Sequence, residues 1–95
     1  MKFEDHCKEC INKLGKPYEE VHRWLDALAG QSPWGMKHRK FRHHEEGLNI
    51  IEEMFGKEAR RAGYLHIVSD LKMDQWDESM PFPKNEKDYV EMGLF

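Results

Sequence analysis

Residues 37–47 read Lys-His-Arg-Lys-Phe-Arg-His-His-Glu-Glu-Gly, and the apolar run Leu-Asn-Ile-Ile-Glu-Glu-Met-Phe follows at 48–55. The first stretch holds three of the six histidines and four of the fifteen Lys and Arg residues. On one helix spanning 37–55, a set of residues spaced three and four apart shares a face: Phe41, His44, Leu48, Ile51 and Phe55. The pattern therefore predicts a long helix whose His44 imidazole faces the core. His43 points about 100° away and flanks that face.

The composition predicts one small domain that spans residues 1–95. Hydrophobic residues make up 39% of the chain, enough for a core, and charged residues make up 35%. The formal net charge of -3 argues against a general nucleic-acid coat. No window approaches the roughly 18 apolar residues that a membrane span needs. No apolar segment follows Lys2, so we expect no signal peptide and a cytoplasmic location.

Helical spacing recurs along most of the chain. Apolar stripes predict helices over residues 3–14, from Lys16-Pro17 to Gly30, over 37–55 and over 57–73. The helix over 57–73 has a stripe of mostly small residues that would let another helix come close: Ala59, Ala62, Gly63, His66, Ser69, Asp70 and Met73. Gln31 to Met36 is expected to be a loop that carries Trp34. Residues 74–84 contain Pro81 and Pro83 and are expected to form an extended segment against the helices.

Asn85 is a suitable N-cap for a short last helix that runs through Met92. Leu94 and Phe95 are expected to dock onto the helices. The predicted class is all-α, a compact bundle of four main helices with a short C-terminal helix and an extended proline-containing segment.

The histidines suggest a metal site between helices. His22, His44 and His66 come from three predicted helices and lie on or beside the core-facing side, with His43 adjacent. Asp26 and Asp70 follow His22 and His66 by four residues, so each carboxylate can ligate an ion or hold the far ring nitrogen. We predict a divalent ion held by His22, His43, His44, His66 and Asp70. Nitrogen and oxygen ligands without thiolates suit Zn, Mn, Fe or Ni.

Several of these residues also fit a purely structural role. His44 equally fits a core histidine that bonds a carbonyl or Asp70, and the two His–Asp pairs fit local capping interactions. His6 and His38 are expected at the surface. Cys7 and Cys10 are expected to be buried small hydrophobes, with metal ligation as the alternative. Glu45 is expected to be solvated unless a metal lies nearby, where it would serve as a general base.

The His-His-Glu sequence at 43–45, followed by a later His and Asp, resembles the His…His-Asp…Asp metal signature of HD phosphohydrolases. That family is all-helical. Its signature carries Asp after the second histidine, where this chain has Glu45. The resemblance implies His22, His44 and Asp70 on the metal, with hydrolysis of a phosphoester by bound water.

The chain also resembles a group of small, uncharacterised prokaryotic and phage proteins that share three motifs. The motifs are Pro-Tyr-Glu-x2-His-x-Trp-Leu-Asp, His-Arg-x2-Arg-His-His and His-Ile-x2-Asp-Leu. They occupy residues 17–26, 38–44 and 66–71 of this sequence. The resemblance covers most of the chain and implies one small module.

Three functions follow from these features. The first is a metal-binding helical protein with hydrolysis as its candidate activity, in which Lys37, Arg39 and Arg42 would hold an anionic small molecule such as a phosphoester. The second is a phosphate- or nucleic-acid-binding module. In it the basic stretch of Lys37, Arg39, Lys40 and Arg42 would contact phosphates together with Arg60 and Arg61, and Trp34 would be available for stacking. The third is a protein-interaction factor with structural histidines. None implies a membrane partner, and a homodimer is a further possibility.

Overall fold

The computed structural model describes residues 3–27 and 39–93, without the side chains of Arg39 and Lys40. Within these ranges the chain forms α-helices and no strand, which confirms the all-α class. The helices are α1 Phe3–Leu14, α2 Glu19–Leu25, α3 Arg39–Arg42, α4 Glu45–Phe55, α5 Lys57–Met73 and α6 Glu86–Glu91. None of these helices is long and apolar enough to cross a membrane. Some predictions fall outside the described ranges: those for Lys37, His38, Trp34, the 31–36 loop, Leu94 and Phe95.

The second helix is shorter than predicted. Tyr18 has φ 53° and ψ 48°, in the left-handed region, so an α-helix cannot continue back through it to Pro17. The helix starts at Glu19 and ends at Leu25, and Asp26 follows as its C-cap. The short helix matters for the site because it places the Asp26 carboxylate at a helix end.

The predicted long helix over 37–55 is wrong, because it is interrupted at His43 and His44. His44 has φ −157° and ψ 178°, an extended conformation that ends α3 and precedes α4. Its Nδ1 accepts a hydrogen bond from the Gly47 N–H at 3.1 Å, so His44 serves as the N-cap of α4. A Cβ at Gly47 would lie 1.9 Å from the Arg42 carbonyl oxygen, so the chain needs glycine at this position.

The first turn of α4 is fixed by the extended segment near the C-terminus. The Glu45 and Glu46 N–H groups donate to the carbonyls of Pro83 and Lys84, each at 3.0 Å. The Glu45 and Glu46 side chains also place negative charge at the positive end of the helix dipole. The segment therefore satisfies N–H groups that a helix start leaves without intrahelical partners.

The long helix α5 matches its predicted bounds and packs against α4. Three of its buried residues are small, as the sequence predicts, namely Ala59, Ala62 and Gly63, and four are larger, namely His66, Ile67, Asp70 and Leu71. A Cβ at Gly63 would approach Ile51 Cδ1 to 2.8 Å and Leu48 Cδ2 to 2.9 Å. Absence of a side chain at Gly63 thus allows the close approach of α4.

Two helix-end residues that were predicted on buried faces are instead exposed. Phe55 is 40% exposed and Met73 is 64% exposed. Gly56 has φ 104° directly after Phe55, so the chain turns away there and the last turn of α4 leaves the core.

The segment after α5 is partly buried as predicted. Trp76 is buried, and its Nε1 donates to the Pro81 carbonyl at 3.1 Å. Pro83 is also buried, whereas Met80 is 44% exposed, contrary to the expectation that the large apolar side chains are covered. Asn85 caps α6 as predicted, because its Oδ1 accepts from the Asp88 N–H at 2.9 Å.

Candidate metal site

The centre of the site is on α5, where His66 and Asp70 lie one turn apart on the buried face. His66 Nε2 is 3.3 Å from Asp70 Oδ2. Both side chains are almost fully buried, with exposures of 0% and 3%. The four-residue spacing seen in the sequence therefore produces a buried imidazole–carboxylate pair.

Two further side chains reach this pair from other elements. Asp26, at the end of α2, places Oδ2 3.4 Å from His66 Nε2. His43, in the break between α3 and α4, places Nδ1 3.7 Å from Asp70 Oδ2. His43 Nε2 lies 3.2 Å from the Leu25 carbonyl, which can only accept, so Nε2 carries the hydrogen and Nδ1 keeps its lone pair.

These four residues form the first donor group, Asp26, His43, His66 and Asp70. One ligand atom from each lies within 4.8 Å of all the others. Ligand atoms around a tetrahedral ion with bonds of about 2.0–2.1 Å are about 3.3–3.4 Å apart. The measured spacings of 3.3 to 3.7 Å are close to that value. They exceed the roughly 2.7–2.9 Å of a charge-assisted hydrogen bond.

A second donor group, His6, His22 and His66, lies on the other side of the His66 ring. His22 Nδ1 is 2.9 Å from His66 Nδ1. The His6 ring stacks on the His66 ring with 3.7 Å between centroids and 15° between planes. His6 Nε2 also lies 3.5 Å from Asp70 Oδ1. His66 is therefore shared by both groups.

The protonation states suit a cation-binding site. Burial lowers the pKa of His43 and of His22 to about 4, so both imidazoles are neutral near pH 7. Burial raises the pKa of Asp26, but the neighbouring His43 and His66 imidazoles outweigh it and hold the pKa below its usual range. Burial lowers the pKa of His66, yet Asp26 and Asp70 raise it overall, so an ion at His66 Nε2 would have to displace a proton from that ring. Ionised carboxylates and neutral imidazoles are the forms that ligate metals.

The structure brings together four of the five metal ligands predicted from the sequence. His43, His66 and Asp70 are in the first donor group, and His22 is in the second. His44 is in neither, because its Nδ1 caps α4. His44 is buried as predicted, at 4% exposed, but because of the break at His43 and His44 it is His43 that reaches Asp70.

Of the other residues with a predicted functional role, the structure describes the side chains of Glu45, Arg42, Arg60 and Arg61. Glu45 is exposed on the first turn of α4. The Arg42 guanidinium donates from Nη1 to the Trp24 carbonyl at 2.7 Å, and its Cζ lies 4.4 Å from the Trp24 ring centroid. Arg60, part of the alternative nucleic-acid surface, donates to Asn49 Oδ1 at 2.6 Å. These contacts engage Arg42 and Arg60 within the protein.

Sequence reasoning misplaced His6 at the surface. The residue is 1% exposed, because Phe3, His6 and Cys10 follow one another at spacings of three and four on α1. That spacing was a usable signal for burial. Asp26 was recognised as a possible partner of His22, but its carboxylate instead contacts His43 and His66.

One of the two cysteines is buried as expected, and the other is only partly buried. Cys10 is fully buried, burial raises the pKa of its thiol to about 11, and its Sγ lies 3.4 Å from His22 Nε2. Cys7 is half-buried. Within residues 3–27 and 39–93, neither thiol belongs to a donor group.

The helices and the buried groups define a small all-α protein with a candidate His/Asp metal site. The chain belongs to the family described as Domain of unknown function DUF6915, whose family model matches residues 1–92. This match agrees with the resemblance to a small uncharacterised family. No curated protein and no solved structure matches the chain.

Proposed function

We propose that this protein binds one divalent metal ion through Asp26, His43, His66 and Asp70. The observation that supports the proposal is the spacing of the donor atoms: three pairs are 3.3 to 3.7 Å apart and all four atoms lie within 4.8 Å of one another, which suits tetrahedral ligands better than hydrogen-bonded pairs. The charges agree with it. The buried Asp70 carboxylate and the 30% exposed Asp26 carboxylate carry two negative charges, and a divalent cation would neutralise both.

The donor set narrows the choice of ion. Two imidazole nitrogens and two carboxylate oxygens suit Zn, Mn, Fe or Ni, and four ligands at tetrahedral spacing suit Zn best among them. His43 also has the orienting contact expected of a ligand, because its Nε2–H donates to the Leu25 carbonyl. We therefore expect zinc to bind most tightly.

Metal analysis of purified protein tests the proposal. After exposure to zinc and removal of excess ion, wild-type protein should retain about one equivalent. The His66→Ala variant should retain almost none. His44→Ala is the matched control, since it removes a neighbouring buried imidazole outside both donor groups and should retain the ion. Zinc content near zero in folded wild-type protein contradicts the proposal.

Hydrolysis of a phosphoester is a finer proposal on the same site. A hydrolytic ion needs a coordination position open to water and substrate, so an ion with these four ligands would have to accept a fifth ligand, and it would then supply an activated water. The Asp26 side chain is 30% exposed, against 3% or less for the other three donors. Substrate would therefore approach from the Asp26 side. Glu45 as a general base stays a prediction.

A chromogenic phosphodiester assay separates ion binding from hydrolysis. We compare zinc- or manganese-loaded wild type, chelator-treated wild type and His66→Ala. Turnover that requires both the ion and His66 supports the hydrolase. A protein that retains its ion and shows no turnover keeps the ion-binding proposal and removes the hydrolase.

A further inference from the structure

The second donor group includes a hydrogen-bonded connection from the backbone to His66. His22 Nε2 lies 2.9 Å from the Pro17 carbonyl oxygen. A carbonyl can only accept, so His22 Nε2 carries a hydrogen. In the neutral imidazole the other nitrogen, Nδ1, then has a free lone pair.

That lone pair points at His66. The two Nδ1 atoms are 2.9 Å apart, the ring centroids are 5.1 Å apart and the planes differ by 21°. The centroid distance is close to the largest that a 2.9 Å contact permits, so both nitrogens lie nearly on the line between the ring centres. This is the geometry of an in-plane hydrogen bond. Because His22 Nδ1 accepts, His66 Nδ1 must donate.

The consequence falls on the opposite nitrogen of His66. With the hydrogen on Nδ1, a neutral His66 has its lone pair on Nε2. Nε2 is the atom that lies 3.4 Å from Asp26 Oδ2 and 3.3 Å from Asp70 Oδ2. The contact from His22 thus selects the tautomer of His66 that the first donor group requires.

The same geometry argues against a second ion among His6, His22 and His66. An imidazole binds a metal along a lone pair in its own plane. The His6 and His66 planes are nearly parallel and stacked 3.7 Å apart between centroids, so their lone pairs cannot converge on one ion. His22 and His66 face each other directly, with no room between the two nitrogens for an ion.

We propose that His22 is a positioning residue, which holds His66 by the connection Pro17–His22–His66 so that Nε2 binds the single ion. The inference rests on the proposed metal site. It places His22, a metal ligand in the sequence-based prediction, outside the coordination shell. Loss of such an outer contact typically reduces metal affinity about 10- to 100-fold.

Zinc titrations of wild type, His22→Leu and His22→Asn test the proposal. Leu removes the acceptor, so affinity should fall about 10- to 100-fold while the stoichiometry stays at one. The Asn carbonyl offers an acceptor near the position of Nδ1 and should recover most of the affinity. Circular dichroism and thermal unfolding of the ion-free variants check that each is folded.

Nitrogen-15 NMR of the ring nitrogens gives a readout that general loss of packing would not move. We expect the Nε2–H tautomer for His22 in ion-free protein, and Nδ1–H with a metal-shifted Nε2 for zinc-loaded His66. A stoichiometry of two that falls to one in His22→Leu overturns the proposal, since His22 would then be a ligand. So does unchanged affinity in folded His22→Leu.

These results are distinguishable from failure of the site itself. Wild-type protein that binds no zinc overturns the metal site and this inference with it. Wild-type protein that binds one zinc with His22 in the Nδ1–H tautomer overturns the inference alone.

Discussion

The two ring nitrogens of His66 face groups that differ in composition and in spacing. On the Nε2 side, the carboxylate oxygens of Asp26 and Asp70 are 3.4 and 3.3 Å away. On the Nδ1 side, His22 is 2.9 Å away and His6 stacks on the ring. In both sets, one donor atom from each residue lies within 4.8 Å of the donor atoms of the others. The difference shows that donor spacing and ring orientation, rather than the number of nearby histidines, separate an ion site from a hydrogen-bonded network.

The largest expected effect on zinc affinity comes from removing a charge on the Nε2 side of His66. Asp70→Asn keeps the shape and loses one anionic ligand, so zinc affinity should fall by about a thousandfold or more, on the order of 4 kcal/mol. His6→Phe on the opposite side retains a ring that can stack on His66 and should change the affinity less than tenfold. Isothermal titration of both variants measures the contrast. Equal losses would erase the distinction between the two sides.

Removal of the ion from the Nε2 side of His66 should lower the free energy of unfolding. A ligand at 100 times its dissociation constant stabilises the folded state by about 2.7 kcal/mol. For a chain of this length that corresponds to an increase in Tm of roughly 10 to 20 °C. Thermal unfolding with zinc and with chelator measures it. His66→Ala, which lacks the shared ring, should show no zinc-dependent shift, and a shift equal to that of wild type would contradict the assignment.

Acid should lower the free energy of unfolding of the ion-free protein through two imidazoles, His43 on the Nε2 side of His66 and His22 on the Nδ1 side. The pKa values of His22 and His43 are lowered to about 4, from an ordinary value of 6.5. The unfolded chain therefore binds protons that the folded chain excludes, so their stabilisation is full above pH 6.5 and lost as the pH falls toward 4. The expected loss in the free energy of unfolding is on the order of 2 kcal/mol for each of the two histidines by pH 4.5.

His66 acts in the opposite direction at higher pH. Its pKa is raised, so its contribution is full below pH 6.5 and declines as the pH rises through the folded value. Urea unfolding of chelator-treated protein at several pH values checks both trends. Stability that does not fall between pH 6.5 and 4.5 would show that the two buried imidazoles are not held neutral.

The smallest expected effect concerns the histidine that belongs to neither side. His44→Ala removes the N-cap acceptor of α4 and should lower the free energy of unfolding by about 1 kcal/mol. Zinc affinity should stay within a factor of two or three. His44→Asn supplies a better cap and should restore stability. A large loss of zinc binding in folded His44→Ala would place His44 back among the ligands.

Local patterns in the sequence determined much of the fold correctly. The bounds of α1 and α5, the small-residue face of α5 and the Asn85 cap follow from residues close together in the chain, and all are confirmed. The same local logic found the spacing of His66 and Asp70. Periodicity and capping chemistry are local properties, so the sequence displays them directly.

The errors arose where backbone conformation overrides a continuous pattern. Glu45 and Glu46 after His44 form the acidic first turn of a new helix, but the apolar spacing across 37–55 masked that signal. Because of the break, His43 is the histidine that reaches Asp70, and His44 caps α4. The contact between Asp26 and His66 was also beyond local reasoning, because it depends on how α2 packs against α5.

The donors of the proposed ion are spread from Asp26 to Asp70, nearly half the length of the chain. No short peptide from this protein contains them all, so the site exists only after α2, the α3–α4 break and α5 have assembled. Asp26 is 30% exposed, but the other three donors are 3% exposed or less, so escape of the ion would still need separation of α5 from the segment that carries His43. Exchange with external metal should therefore be slow and should follow the rate of local opening measured by hydrogen exchange at α5.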